Sequence, residues 1–124
     1  MATRAVYTFS GFPCVPERHL YLHHDAYPTG AAWRFAQVLR EAPEPETFLA
    51  AFLVNQPKAE PIETQEQAAD AEYRYRVELL PGLIAQLKVQ GGRRLLGSGN
   101  WYPRCGPLPL AVFIQRFLPG GLPD

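Results

Sequence analysis

The residues best suited to chemistry are gathered in one run, His23-His24-Asp25-Ala26-Tyr27-Pro28-Thr29-Gly30. His19 lies just before it, so all three histidines of the chain fall in or beside this run. An imidazole titrates near neutral pH, and a neighbouring carboxylate can orient it or share a ligand with it. His23 or His24 with Asp25 could therefore begin a metal site. His19 and His23, however, fall four apart on one face of an extended segment, about 13 Å by strand rise. Ligands of one zinc ion sit at about 2.0–2.1 Å from it, and the spacing supplies no third donor, so no metal and no cofactor is expected. Hydrolytic chemistry is the second option, with Asp25 orienting His23 or His24 and Ser10 or Cys14 as nucleophile. Cys14 lies between Pro13 and Val15, with no activating helix N-terminus or tight elbow in the pattern, so no catalytic residue is assigned. The third option is a binding corner, where backbone N–H groups after Thr29-Gly30 favour an anionic group. The plain structural alternative has Tyr21 and His23 covering a half-buried sheet face, Asp25 making an Asx-type turn before Pro28, and His24 exposed.

Three further stretches carry reactive or adhesive side chains. Trp101-Tyr102-Pro103-Arg104 places two large aromatics beside a cation, a composition typical of protein-binding hot spots and equally of a core edge. Gly97-Ser98-Gly99-Asn100 is glycine-rich but lacks the strand-loop-helix order and the lysine of a phosphate cradle, so a turn or bulge is expected. Arg74, Arg76, Arg93 and Arg94 could form a basic strip, diluted by Glu72 and Glu78 into an ordinary solvated face. Tyr73 and Tyr75 alternate to the face opposite these arginines and read as core.

The elements that must position these groups follow from periodicity. Residues 5–9 and 19–24 alternate or are β-branched and aromatic, and form two strands of a hairpin with a long loop. Thr29 is a candidate N-cap for a helix over residues 31–41, whose apolar positions Ala32, Phe35, Ala36 and Leu39 fall on one stripe. Pro45 opens a second short helix with Phe48, Leu49, Phe52 and Leu53 on its stripe. Residues 58–71 are polar and acidic, a long surface loop with room for a helical turn. Residues 72–79 alternate most clearly, with Tyr73, Tyr75, Val77 and Leu79 on one face. One solvated face predicts an antiparallel sheet. Pro81-Gly82 turns the chain into a strand over residues 83–89, Gly91-Gly92 marks another turn, and residues 94–102 give a third strand. After a loop over residues 103–107, Pro109 starts a last helix with Leu110, Phe113, Ile114 and Phe117. The order β-β-α-α-β-β-β-α predicts an α+β class, an antiparallel sheet with helices packed on one face, in a single domain over residues 1–124.

With 124 residues and 47% hydrophobic side chains the chain can build a real core. Twelve basic and twelve acidic residues cancel, which disfavours non-specific nucleic-acid binding, because that rests on phosphate neutralisation. Nucleic acid is thus a possible but not a favoured partner. The two cysteines, Cys14 and Cys105, do not make a disulfide framework and are expected to be reduced. No signal peptide and no stretch of about 18 apolar residues is apparent, so no membrane partner and a cytoplasmic location are expected.

The segment Thr3-Arg4-Ala5-Val6-Tyr7-Thr8-Phe9, followed by His19-Leu20-Tyr21-Leu22-His23-His24-Asp25-Ala26-Tyr27-Pro28-Thr29-Gly30-Ala31-Ala32, resembles a group of small phage and prophage proteins. Their pattern is T-R-A-x-Y-x-F, then Y-x-H-x-D-G-Y-P-x-G. Phe48-Leu49-Ala50-Ala51-Phe52-Leu53 and Glu72-Tyr73-Arg74-Tyr75-Arg76-Val77 also fit, so the resemblance spans about the first two thirds of the chain. Ala26 stands where the group usually has glycine. The resemblance implies a mobile-element context inside a bacterial host cell, where small proteins often inhibit defence systems such as CRISPR complexes. The leading expectation is therefore a phage or prophage accessory protein that binds a subunit of a bacterial defence complex, as an anti-CRISPR inhibitor does. The expected contact residues are His23, His24, Asp25, Tyr27, Trp101 and Arg104. The alternatives are a small hydrolytic enzyme using His23, His24 and Asp25, and a nucleic-acid-binding module using Arg74, Arg76, Arg93 and Arg94.

Overall fold

A computed structural model describes residues 3–13, 15–94 and 99–122. The chain forms β1 (Ala5–Ser10), β2 (Arg18–Leu22), α1 (Pro28–Glu41), α2 (Phe48–Asn55) and β3 (Glu60–Ile62), then β4 (Tyr73–Leu80), β5 (Gln86–Arg94), β6 (Trp101–Pro109) and α3 (Leu110–Phe117). Single 3-10 turns occupy Pro45–Thr47 and Gln65–Gln67. One six-stranded sheet runs β3-β2-β1-β4-β5-β6, and three helices pack on one of its faces, so the α+β reading holds.

β1 is central because all five residues from Ala5 to Phe9 are buried, on both faces. Tyr7 and Phe9 point to the helices; Val6 and Thr8 point to the other face, where Val6 packs with Tyr21, Ala68 and Ala71. The sheet is mixed rather than purely antiparallel: β1 pairs antiparallel with β2 but parallel with β4. The alternation of β4 is real, with Tyr73, Tyr75, Val77 and Leu79 buried. Alternation reports which face is solvated, and says nothing of the direction of a neighbour. That direction is set by the return of the chain from the β3 edge across the sheet's second face.

Three boundaries differ from the sequence reading for identifiable reasons. Part of the polar stretch 58–71 pairs as the edge strand β3 against β2, and its predicted helical turn is present at Gln65–Gln67. Gly91-Gly92 is no turn but the interior of β5. A Cβ on Gly91 would lie 3.2 Å from Cδ1 of Tyr75, so the missing side chain admits that ring. The register of β5 against β6 also shifts there. Consequently β6 begins at Trp101 and includes residues 103–107, where a loop was expected. Residues 83–85 belong to the hairpin tip rather than to a strand. Both sheet edges carry prolines, Pro61 in β3 and Pro103, Pro107 and Pro109 in β6, which withhold N–H donors from any added strand.

The core between sheet and helices is aromatic. Phe35 on α1 meets Tyr7 edge-on at 5.8 Å between centroids, and also contacts Phe48, Phe52 and Phe113. α1 opens at Pro28 with Tyr27 as N-cap and no side-chain cap bond, so Thr29 is inside the helix and does not cap it. Because Phe35 joins β1 to all three helices, Phe35→Ala is expected to cost about 3–5 kcal/mol. Urea unfolding measures this, and a loss below about 1 kcal/mol would show that Phe35 does not organise the core.

Candidate binding surfaces

The histidine corner is built by the end of β2 and the start of α1. Asp25 takes the left-handed conformation with φ 51°, a region that Asp tolerates better than most residues. The positive φ thus falls on Asp25, while Ala26 is fully buried in the core. Next to it, Gly30 sits so close that a Cβ would lie 1.9 Å from the Asp25 carbonyl oxygen. The carbonyls of the turn are each held. Arg34 donates from Nη1 to Asp25 O at 2.6 Å and from Nη2 to His24 O at 2.5 Å. It also donates to the Tyr7 hydroxyl at 3.4 Å and to Gln56 Oε1 at 3.3 Å. Tyr75 donates its hydroxyl to Ala26 O at 2.7 Å. Arg34, one helical turn past Gly30, is the organiser of the corner. Nothing in the local pattern singles it out, because its shortest bonds go to backbone carbonyls and its side-chain partners, Tyr7 and Gln56, are distant in sequence.

The imidazoles are not arranged around Asp25. His23 pairs through Nε2 with Glu60 Oε1 on β3 at 2.9 Å and lies on the Tyr21 ring, centroids 4.3 Å apart. His24 and Asp25 are exposed, as is Tyr27. His19 lies on the sheet's second face, with Nδ1 2.8 Å from Thr8 Oγ1 and Nε2 3.5 Å from Glu17. Gln65 donates to Thr8 Oγ1 at 2.9 Å. Thr8, His19 and Glu17 have the atom types of a nucleophile-base-acid relay. Thr8 has no exposed surface, so the relay holds the sheet face together rather than meeting a substrate. Glu17 also accepts from Arg76 at 2.7 Å, and that hydrogen bond lowers its pKa. Among the described residues no group of three His, Cys, Asp or Glu could hold a metal ion. Cys105 is free and buried, and burial pushes its thiol pKa up, the mark of an unreactive thiol. Cys14 and residues 95–98, which include the Gly97-Ser98 half of the glycine-rich run, lie outside the described residues.

Two shallow clefts flank the corner and share Arg34 and Gln56. One of about 370 Å³ is lined by Tyr27, Trp33 and Gln37, the other of about 330 Å³ by His23, Lys58 and Glu60. Trp101 and Arg104 are not part of this surface. Four strand spacings separate β2 from β6, about 19 Å, so the six expected contact residues divide into two places. Arg104 is exposed, and the cations over the Trp101 ring are Arg74 at 4.1 Å and Arg94 at 4.9 Å to its centroid. Arg74 and Trp101 border a groove of about 440 Å³ on the uncovered part of the sheet. Sequence reasoning missed the hairpin tip between β4 and β5, where Leu83 is fully exposed and Ile84 is 80% exposed. Their alternation with Ala85 and Leu87 had placed them in a strand. Compared with known protein families, curated proteins and solved structures, the chain matches none. Among the described residues no helix is long and apolar enough to cross a membrane.

Two outcomes follow for the tyrosines under the corner. Tyr75→Phe leaves the buried Ala26 carbonyl without its donor and is expected to cost about 1–2 kcal/mol, read by urea unfolding; an unchanged midpoint would remove Tyr75 as the tie between core and corner. Burial pushes the Tyr7 pKa up to about 12, against the nearby Arg34 charge and hydrogen bond, which lower it. In the unfolded chain Tyr7 releases its proton near pH 10.0. Between these values the unfolded state binds fewer protons, so stability is intact below the unfolded pKa and falls as pH rises toward about 12. Tyr7 accounts for about 2–3 kcal/mol of that loss, and Tyr7→Phe should flatten the alkaline decline in an unfolding series.

Proposed function

We propose that the chain works by binding another macromolecule, and that its partner is a protein subunit of a bacterial defence complex which it inhibits. The observation that carries the binding reading is the exposed aliphatic tip of the β4–β5 hairpin. Leu83 and Ile84 project from two strands held in register by Leu79↔Leu87 and Leu80↔Gln86. Turns ordinarily carry Gly, Pro, Asn, Asp and Ser. Burying one Leu or Ile side chain against a partner contributes about 1.5–3 kcal/mol. A hairpin that offers two such side chains just beyond its paired strands can insert them into an apolar pocket. Choice of a defence complex rests on the resemblance of residues 3–9 and 19–32 to small phage and prophage proteins.

The corner supports binding better than hydrolysis. His23 is engaged by Glu60, and the carbonyls around Asp25 are engaged by Arg34, so these groups hold shape. Tyr27 and Trp33 stand exposed beside them as aromatic contacts of the kind enriched at interfaces. The test is target cleavage by purified CRISPR effector complexes with and without the chain. Inhibition should be stoichiometric, and Leu83→Asp combined with Ile84→Asp should weaken it ~100-fold or more while leaving the unfolding midpoint unchanged. Full inhibition by the double variant would remove the hairpin tip from the interface. No inhibition of any effector class tested would reject the defence-complex partner.

A further inference from the structure

The sheet's second face is only half covered. The segment through Ala68 and Ala71 lies over Val6 and Tyr21, and the remainder, over β4, β5 and β6, is the groove of about 440 Å³. This volume is in the range of small-molecule sites. Gly92 on its floor has no side chain to fill it. Gln65, Gln90, Arg74, Arg76 and Trp101 stand around it.

One cation in the groove lacks what its neighbours have. Arg4 pairs with Asp70, Arg76 pairs with Glu17, and Arg94 donates to the carbonyls of Ala69 and Ala71. Arg74 has no hydrogen bond or ion pair among the described residues. Its contact is the Trp101 ring, and its Nε is sealed from solvent with no acceptor. Burial also lowers the Arg74 pKa, although Glu66 attracts it through space and opposes that shift. A guanidinium has five donors in a fixed planar fork that matches phosphate oxygens, so an anion is the missing complement. Trp101 lines the groove with Arg74 and Arg94 already over its ring, and a nucleobase has a planar face that can join such a cation–aromatic stack. Gln90 carries an amide of the kind that pairs with base edges.

We propose that this groove binds one nucleotide unit, with its phosphate on Arg74 and its base against Trp101. The source is a free nucleotide or one residue of a single strand, and the chemistry is the same. Because basic and acidic residues balance over the whole chain, a strand is held at this one unit and not along a basic track. The salt dependence of strand binding then corresponds to about one phosphate, a slope near −0.7 in log affinity against log salt.

The chain has two tryptophans, so Trp33→Phe leaves Trp101 as the only indole reporter. In that background, Trp101 emission is titrated with adenosine monophosphate, a short single-stranded RNA, inorganic phosphate and polyglutamate. Saturable quenching by the monophosphate or the RNA is expected, weakened ~10-fold or more by Arg74→Gln and unchanged by Arg116→Gln on α3. An RNA bound ~10-fold tighter than the monophosphate identifies a strand as the source, and equal affinities identify the free nucleotide. A Cβ on Gly92 meets only ordinary contacts, at 3.5 Å and 3.8 Å. Gly92→Val therefore narrows the groove floor beside the Trp101 ring while keeping Arg74, and should weaken binding as much. It serves if Arg74→Gln fails to give a native circular dichroism spectrum. Quenching by phosphate alone as strong as by the monophosphate would overturn the proposal, as would tighter binding of polyglutamate, no saturable change, or full affinity in a folded groove variant.

Discussion

Tyr7 and Tyr75 lie side by side on the central strands, with ring centroids 5.1 Å apart and their rings inside an aromatic core. Their hydroxyls reach the same place. Tyr75 donates to the Ala26 carbonyl, and Tyr7 accepts from Arg34, which in turn holds the carbonyls of His24 and Asp25. A buried phenol must find a partner for its hydroxyl. Here the partner is the backbone of the turn that leads from β2 into α1. The turn therefore cannot relax without disturbing the core, and α1 enters at the angle that lets Phe35 meet Tyr7, Phe52 and Phe113. Gly30 is part of the same constraint, because only a residue without a Cβ fits against the Asp25 carbonyl.

This arrangement explains why the histidines are placed as they are. β2 alternates, so Tyr21 and His23 share one face and Leu20 and Leu22 enter the core on the other. His23 is then carried toward Glu60 on β3, His19 toward Thr8 and Glu17, and His24 into solvent. Three imidazoles that are close in sequence are dispersed by the pleat of the strand, and each takes a local partner or water. The second face of the sheet combines a polar network around Thr8 with an apolar patch under Ala68 and Ala71. Where that cover stops, Arg74 and Trp101 are left side by side at the groove.

The edges of the sheet and its exposed surfaces differ in chemistry. Prolines in β3 and β6 discourage strand addition at either edge. The β4–β5 hairpin offers aliphatic side chains at its tip, and the groove between β4 and β6 offers a cation and an indole. These are chemically distinct surfaces at separate positions on one sheet. An apolar protein pocket suits the first and an anionic planar group suits the second.

The class of the fold was legible in the chain because strand and helix periods differ, and each apolar stripe had to face a core. Alternation from Tyr73 to Leu79 and the stripes containing Phe35, Phe52 and Phe113 fixed which residues are inside. It also placed Tyr73 and Tyr75 opposite Arg74 and Arg76, as the structure has them. What the chain could not disclose were features that depend on non-local pairing. The parallel pairing of β1 with β4, the passage of β5 through Gly91-Gly92, and the strand that runs through Pro103 are set by partners far away in sequence. Arg34 was invisible because a cation that serves carbonyls leaves no side-chain signature, and Leu83 and Ile84 imitated a strand until the turn between β4 and β5 was placed. Local period reports burial, whereas register, direction and the meeting of Arg74 with Trp101 are decided only when the strands assemble.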